Sequence, residues 1–158
     1  LGLEGYATWT SPIRKYSDMV NHRLIKAVHT QQACEKPQDE VLTRLQEARR
    51  QNRLVERDIA DWLYCRYLAD KVAENAEFDA EVQDVMRGGL RVQLLENGAS
   101  MFVPASTLHP NKDEMQVNAD ELALYIQGER RYKIGDLVKV KLTEVREETR
   151  SIIGQLII

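Results

Sequence analysis

The first half of the chain has apolar residues at helical spacing. From Pro12 to Thr30 they recur every three or four positions, which predicts an amphipathic helix. Ser11 directly before Pro12 is typical of a helix start, since serine caps free N–H groups and proline has none to lose. From Asp39 to about Ala73 there is no Gly or Pro, so we predict one long helix or two stacked helices. One seam of this stretch is formed by Val41, Leu45, Ala48, Asn52, Val55, Ile59 and Trp62.

The second half changes to the two-residue period of β-strands. From Glu77 onward β-formers alternate or cluster, with glycine-containing turn signals at 88–89 and 97–98. Between residues 108 and 132 the pattern is weaker and predicts a turn and a short helix or strand. About five strands in roughly 80 residues suit a barrel of the OB type. The predicted fold class is therefore α+β, a helical N-terminal segment followed by a five-stranded OB-type barrel.

Charge and composition reduce the number of function classes that the chain could belong to. The net charge is −3 and the acidic excess lies in the second half, which argues against a nonspecific polyanion binder and leaves nucleic-acid contact to local basic patches. No apolar run approaches the roughly 20 residues of a membrane helix, so no membrane partner is expected. Cys34 and Cys65 lack metal-ligand spacing, which indicates free thiols in a cytoplasmic protein. The first residues lack an initiator Met, from which we expect a segment of a longer protein.

A segment rich in hydroxyls and cations, Thr10 to Tyr16, stands at the start of the first predicted helix. Ser11, Arg14 and Lys15 would set a hydroxyl and two cations at the positive end of the helix, an arrangement that can hold a phosphate. An ordinary capped helix with a solvent-facing Arg14 fits the same residues. No Asp cluster, nucleotide-binding loop or zinc motif accompanies the segment, so no complete active site is visible.

The longer segment YATWTSPIRKYSDMVNHRLIKAV, residues 6–28, resembles the last signature block of the ribonuclease II (RNB) family. Residues 53–63, RLVERDIADWL, resemble the helix that follows in that family, and the resemblance continues through the β-half. It implies that residues 1–74 are the end of an RNB catalytic domain and that residues 75–158 are an S1-type RNA-binding domain. It also implies a monomeric, cytoplasmic 3′-to-5′ exoribonuclease that hydrolyses single-stranded RNA to nucleoside 5′-monophosphates with Mg²⁺.

The resemblance places four catalytic-site residues in this chain. Arg14 matches a family arginine that touches the scissile phosphate, where a guanidinium neutralises charge on non-bridging oxygens. Tyr16 and Asp18 match the same block and are expected to orient Arg14 or to pack the helix more than to act directly. Glu56 matches a glutamate near the terminal nucleotide, although pairing with a neighbouring arginine of its own helix is an equal alternative. The metal-binding aspartates belong to an earlier block, so no Mg²⁺ ligand is expected in this chain, which alone is predicted to be inactive.

The resemblance also implies an RNA-binding surface. S1-type domains stack the bases of single-stranded RNA on exposed aromatic residues while basic side chains follow the backbone. Phe102 alone remains in the expected aromatic region, so cationic contacts are expected to predominate. The RNA-binding residues that we predict are Ser11, Lys15, Arg87, Arg91, Phe102, Lys139, Lys141, Arg146 and Arg150. His22 is expected to be a structural, hydrogen-bonded histidine, and Trp9 and Trp62 to pack in a core.

Two other functions stay open. One is a free-standing S1-type RNA-binding module in which the helical half is only a scaffold. The other is a structural adaptor that uses the seam from Val41 to Trp62 for a partner, although the rest of a catalytic domain would cover the same seam.

Overall fold

Residues 5–157 are described by a computed structural model, and the chain divides into two compact units. The first unit ends at Val55 and the second begins at Glu56, so the boundary falls inside the second long helix. The predicted division between residues 74 and 75 follows the family resemblance instead and stays a prediction.

The described residues form a helical part followed by a β-part, in the predicted order. The helices are α1 (Tyr16–His29), α2 (Asp39–Leu68) and the single turn α3 (Ala105–Leu108). The strands are β1 (Glu77–Met86), β2 (Gly89–Leu94), β3 (Ser100–Pro104), β4 (Met115–Asn118), β5 (Ala123–Ile126), β6 (Glu129–Lys133), β7 (Leu137–Arg146) and β8 (Ser151–Leu156). No helix of residues 5–157 has both the length and the apolar character needed to cross a bilayer.

Helix α1 begins one turn later than predicted, and the predicted cap at Ser11 is wrong. Lys15 precedes the helix in an extended conformation, with φ −118° and ψ 110°, and it makes no side-chain capping bond. The backbone N–H of Ser11 instead donates to the carboxylate of Asp18, 3.0 Å away. Because Asp18 holds this segment, residues 11–15 form a separate turn in place of the first turn of the helix.

Helix α2 is one continuous helix, the first of the two predicted alternatives, and it ends at Leu68, about five residues earlier than predicted. Its predicted seam is covered only in part within the described residues: Val41 and Leu45 are half-buried, whereas Val55, Ile59 and Trp62 are exposed. The last turns differ, since Cys65 and Leu68 are fully buried in the core of the second unit.

The predicted five-stranded barrel is confirmed. The strands close in the order β1-β2-β3-β8-β7, and β7 pairs back onto β1. Neighbouring strands are antiparallel except β3 and β8, which are parallel. Side chains from alternate positions fill the interior, as expected of a small barrel. They include Ala80, Val82, Leu90, Val92, Leu94, Met101, Val103, Val140, Leu142 and Ile152.

A second sheet, β4-β5-β6, occupies the region in which the sequence predicts only a turn and one short element. Its three strands are antiparallel and have four or five residues each. Leu124 and Ile126 of the central strand are buried and join the barrel core. Strands this short show too little periodicity to be recognised, which is why the prediction fell short here.

Candidate nucleic-acid interface

The turn of residues 11–15 projects Arg14 into solvent. The backbone N–H groups of Lys15 and Arg14 both donate to the carbonyl oxygen of Ser11, at 2.9 and 3.3 Å. The side chains of Arg14 and Lys15 are exposed, and Arg14 forms no ion pair with any residue of the described chain. Tyr16, the first residue of α1, is half exposed beside them. The turn therefore presents two neighbouring cations to which a phosphate has access.

Asp18 is the buried anchor of this turn. It has no exposed surface, and its oxygens accept from the Thr8 hydroxyl at 2.6 Å, the Ser11 N–H at 3.0 Å and the Ser17 hydroxyl at 3.4 Å. The Thr8 hydroxyl is the main reason that the pKa of Asp18 lies below that of an ordinary aspartate, and desolvation opposes it. The Ser11 N–H and the positive charge of Lys15 lower this pKa further. A fully buried, fully bonded carboxylate favours a supporting role over direct contact with RNA.

Two more side chains of α1 hold the same approaching segment. The Nδ2 of Asn21 donates to the carbonyl oxygen of Thr8 at 2.7 Å, and the Nε2 of His22 lies 2.7 Å from the carbonyl oxygen of Trp9. A hydrogen bond to that carbonyl requires a proton on Nε2. His22 is thus a hydrogen-bonded histidine, as predicted. The sequence analysis missed Thr8 and Asn21, although the i, i+3, i+4 spacing of three polar residues on α1 was an available signal.

Glu56 and the other three predicted catalytic residues belong to different units of the chain. Arg14, Tyr16 and Asp18 belong to the first unit, whereas Glu56 is exposed at the start of the second. Glu56 forms no ion pair within residues 56–157, so the alternative of a salt bridge with Arg57 is not seen there. Its convergence on the same phosphate site as Arg14 stays a prediction.

Arg91 and Phe102 are brought together on the outside of the barrel. They are register partners of β2 and β3, and Arg91 points outward between two buried neighbours. The Cζ atom of Phe102 would lie 3.7 Å from a Cβ placed on Gly88, so the ring reaches the turn that carries the exposed Arg87. We name Arg87, Arg91 and Phe102 the Phe102 face. A partly exposed ring flanked by two arginines can stack one base and contact the adjacent phosphates.

Three other predicted cations of the barrel are already paired with carboxylates. These pairs are Lys139 with Asp79 at 3.9 Å, Arg146 with Glu144 at 2.7 Å, and Arg150 with Asp58 at 2.5 Å. Both oxygens of Glu144 accept from Arg146, and this bond holds the pKa of Glu144 below its ordinary value. Lys141 is half-buried and has no such partner among the described residues. A phosphate would compete with these carboxylates, so Arg87 and Arg91 are better placed to bind RNA.

The described residues do not fit a Mg²⁺ site. Within residues 5–157 no three or more Asp, Glu, His or Cys side chains converge closely enough to hold a metal ion. Mg²⁺ prefers carboxylate oxygens in a near-octahedral arrangement, and the buried carboxylate of the interface, Asp18, is occupied by protein donors. We therefore assign no chemical step to a metal in this chain.

Neither tryptophan is in a core. Trp9 is 51% exposed and Trp62 is 40% exposed, so the prediction that both pack inside is wrong for the described chain. The Trp9 ring lies beside His22, with centroids 6.0 Å apart, and the guanidinium of Arg66 stacks on Trp62 at 5.1 Å.

The described chain ends in a closed five-stranded barrel, and barrels of the OB type commonly bind oligonucleotides. The family model of the S1 RNA binding domain matches residues 71–156, and that of the RNB domain matches residues 1–31. The chain therefore belongs to the S1 RNA-binding domain family and carries the end of an RNB domain ahead of the barrel. The resemblance stated from the sequence is confirmed.

Several relatives of high sequence identity are named as exoribonucleases. The chain is 83% identical over 157 residues to "Exoribonuclease 2" of Haemophilus influenzae (strain 86-028NP) and 74% identical over 156 residues to that of Pasteurella multocida (strain Pm70). These alignments cover 99% of this chain but 24% of each relative. The chain thus spans about a quarter of the length of the curated relatives that it matches.

A solved structure shares the fold. The apo form of Mycoplasma genitalium RNase R superposes with a TM-score of 0.71 at 23% sequence identity, covering 96% of this chain and 24% of that one. The same enzyme in complex with ribose methylated single-stranded RNA gives the same figures. At this identity the likeness establishes the fold, a helical segment followed by a barrel.

Proposed function

We propose that this chain is part of a processive exoribonuclease that degrades single-stranded RNA from the 3′ end to nucleoside 5′-monophosphates. In this proposal Arg14 contacts the scissile phosphate, Glu56 lies near the terminal nucleotide, and the Phe102 face holds RNA further along the strand. The observation that carries the proposal is the exposed Arg14, projected by a turn that is fixed to a buried carboxylate. A guanidinium so placed neutralises the charge that builds on non-bridging oxygens as the phosphodiester is attacked.

The comparisons support the enzyme over a free-standing RNA-binding module. The relatives at 83% and 74% identity are named for exoribonuclease activity, and residues 1–31 match the RNB domain. The RNase R that shares the fold has been solved with single-stranded RNA. We further propose that the whole protein is a monomer, acts in the cytoplasm and uses Mg²⁺ whose ligands lie outside this chain. The two free thiols of the described chain, Cys34 and Cys65, suit a reducing compartment.

The chain alone is expected to have no nuclease activity. Hydrolysis in this class of enzyme is metal-assisted, and residues 5–157 offer no cluster of metal ligands. The purified chain should leave a labelled, unstructured oligo(A) intact in buffer with Mg²⁺, judged by denaturing gel. Stepwise shortening of the oligonucleotide that EDTA abolishes would contradict both this expectation and the assignment of the ligands to another part of the protein.

Binding of RNA is the direct test of the proposed contacts. The chain should bind labelled oligo(A) weakly at low salt, and Arg14→Ala should weaken binding about tenfold, the value of one charge-assisted hydrogen bond. The salt dependence should fall by about 0.7 in log–log slope, since one phosphate contact to a single strand is lost. The double variant Arg87→Ala/Arg91→Ala should also weaken binding, and its log–log slope should fall by about 1.4 because two phosphate contacts are lost.

A matched surface arginine provides the control for these variants. Arg131 on β6 is exposed and already paired with Glu129 at 3.0 Å, so Arg131→Ala should change the affinity little. The proposal fails if the parent chain does not bind at low salt, or if Arg131→Ala weakens binding as much as Arg14→Ala.

A further inference from the structure

Three side chains of α1 hold the segment that precedes the helix. Asp18, Asn21 and His22 bind the segment Thr8–Ser11 through four hydrogen bonds of 2.6 to 3.0 Å. Their i, i+3, i+4 spacing puts them on the same face of the helix, directly facing that segment. We name these three residues the α1 clamp.

The clamp continues into the turn that carries Arg14. The Ser11 N–H is held by the carboxylate of Asp18, and the Ser11 carbonyl oxygen is held by the N–H groups of Arg14 and Lys15. The carbonyl oxygen of Lys15 in turn accepts from the N–H of Asp18 at 3.2 Å. A closed circuit of hydrogen bonds therefore runs from Asp18 through Ser11 and Lys15 back to Asp18, with Arg14 at its outer edge.

Folding alone does not require a buried carboxylate at residue 18. A fully buried carboxylate loses its hydration, and an apolar contact would join a helix to a neighbouring segment at smaller cost. Asp18 does not cap α1 either, since its acceptors are used by Thr8, Ser11 and Ser17. Asp18 provides directional bonds instead: one oxygen accepts from the backbone N–H of Ser11 and the other from the side-chain hydroxyl of Thr8, so the carboxylate holds the segment that leads into the Arg14 turn.

We infer that the α1 clamp positions Arg14 for a phosphate of RNA, with Asp18 as its central positioning residue. An arginine on a free segment would lose conformational freedom on binding, and a turn fixed beforehand reduces that loss. The inference rests on the proposed contact between Arg14 and phosphate. It adds Asn21, His22 and Thr8, and it assigns Asp18 a role that acts through Arg14 and not through contact with RNA.

The first test follows the Ser11 amide proton by NMR during an acid titration of the chain. In the parent this resonance should respond to Asp18 with a midpoint below the ordinary aspartate value of about 3.9, because the clamp stabilises the charged carboxylate. Thr8→Val removes the hydroxyl without changing the shape, so the midpoint should rise toward that value. Thr8→Ser keeps the hydroxyl and should restore the parent midpoint.

The second test asks whether the clamp acts through Arg14. Affinity for labelled oligo(A) is measured for Thr8→Val in the parent and in the Arg14→Ala background. We expect Thr8→Val to weaken binding roughly threefold in the parent, within the range of one hydrogen bond, and to have no further effect once Arg14 is gone. Thr30→Val is the matched control. It removes the hydroxyl that donates to the carbonyl oxygen of Lys26 at the other end of α1, and it should change neither the affinity for oligo(A) nor the Ser11 midpoint.

Each result bears on the inference. An equal loss of affinity in both backgrounds, or a raised Ser11 midpoint with unchanged affinity, would overturn the positioning role and leave the clamp a structural feature only. If Arg14→Ala itself does not change the affinity, the proposed phosphate contact fails and the positioning role fails with it, whatever the Ser11 midpoint. A midpoint that shifts in Thr8→Val but not in Thr8→Ser, together with the non-additive affinities, supports the inference.

Discussion

The Gly89→Ala variant is expected to lose roughly 3 kcal/mol or more of the free energy of unfolding of the barrel. Gly89 has φ +142°, a conformation that a side chain rarely allows. A Cβ at this position would overlap the carbonyl oxygen of Val103 and would lie 2.9 Å from the backbone nitrogen of Ala105. These are backbone atoms of the adjoining strand and turn, so neither can rotate away. Urea unfolding followed by circular dichroism measures the loss.

The neighbouring glycine is the control. A Cβ on Gly88 would meet only the Cζ atom of Phe102, at 3.7 Å, which is an ordinary contact. The free energy of unfolding of Gly88→Ala should therefore lie within about 0.5 kcal/mol of that of the parent. Equal losses in the two variants would show that the turn as a whole, and not the close approach at Gly89, limits the stability.

The same close approach builds the Phe102 face. Gly89 is the register partner of Pro104, and two residues further along each strand Arg91 is the partner of Phe102. Without a side chain at residue 89, the end of β3 can lie against β2, and the ring of Phe102 then reaches the turn at Gly88. The geometry of this candidate RNA-binding surface thus depends on a residue that does not itself face RNA.

The glycine pair also shows how far a sequence can predict this fold. The pair marks a turn between two strands from local pattern alone, and the five-stranded barrel follows from the strand count. Which of the two glycines is required depends on where Val103 and Ala105 lie. Tertiary structure sets those positions, so the local sequence pattern does not reveal them. The short strands β4, β5 and β6 were under-predicted for a related reason, since the burial of Leu124 and Ile126 of β5 in the barrel core outweighs the weak periodicity of this region.

The candidate site was predictable in its residue types but not in its geometry. The motif around Arg14 predicts a phosphate-binding segment, and that role stays a prediction. The pattern Ser11-Pro12 predicted a helix cap, whereas Asp18 holds a separate turn there. Local propensity could not reveal this, because the competing acceptor is a side chain in the first turn of α1, Asp18. The pairing of Arg150 with Asp58 was equally hidden, since it joins the barrel to a distant part of the sequence.

Leu68→Ala is expected to destabilise the second unit by about 2 to 5 kcal/mol, the cost of emptying a fully buried leucine site. Leu68 is on the last turn of α2 and, with Cys65, completes the barrel core. The helix is fixed at the same end by the Tyr64 hydroxyl, which donates to the carbonyl oxygen of Asn97 at 3.0 Å. The end of α2 is therefore structurally part of the barrel.

Leu63→Ala on the same helix is the matched comparison, because both changes replace leucine by alanine with equal gain in helix propensity. Leu63 is 54% exposed, so its loss should change the free energy of unfolding by no more than about 0.5 kcal/mol. Urea unfolding by circular dichroism compares the two; similar losses would mean that α2 does not dock on the barrel through Leu68.

Since Glu56 lies on the same helix within the second unit, docking at Leu68 also fixes Glu56 relative to the Phe102 face. A barrel that begins after this helix would lack part of its core. If Glu56 makes the proposed contact near the terminal nucleotide, helix α2 connects that contact to the barrel.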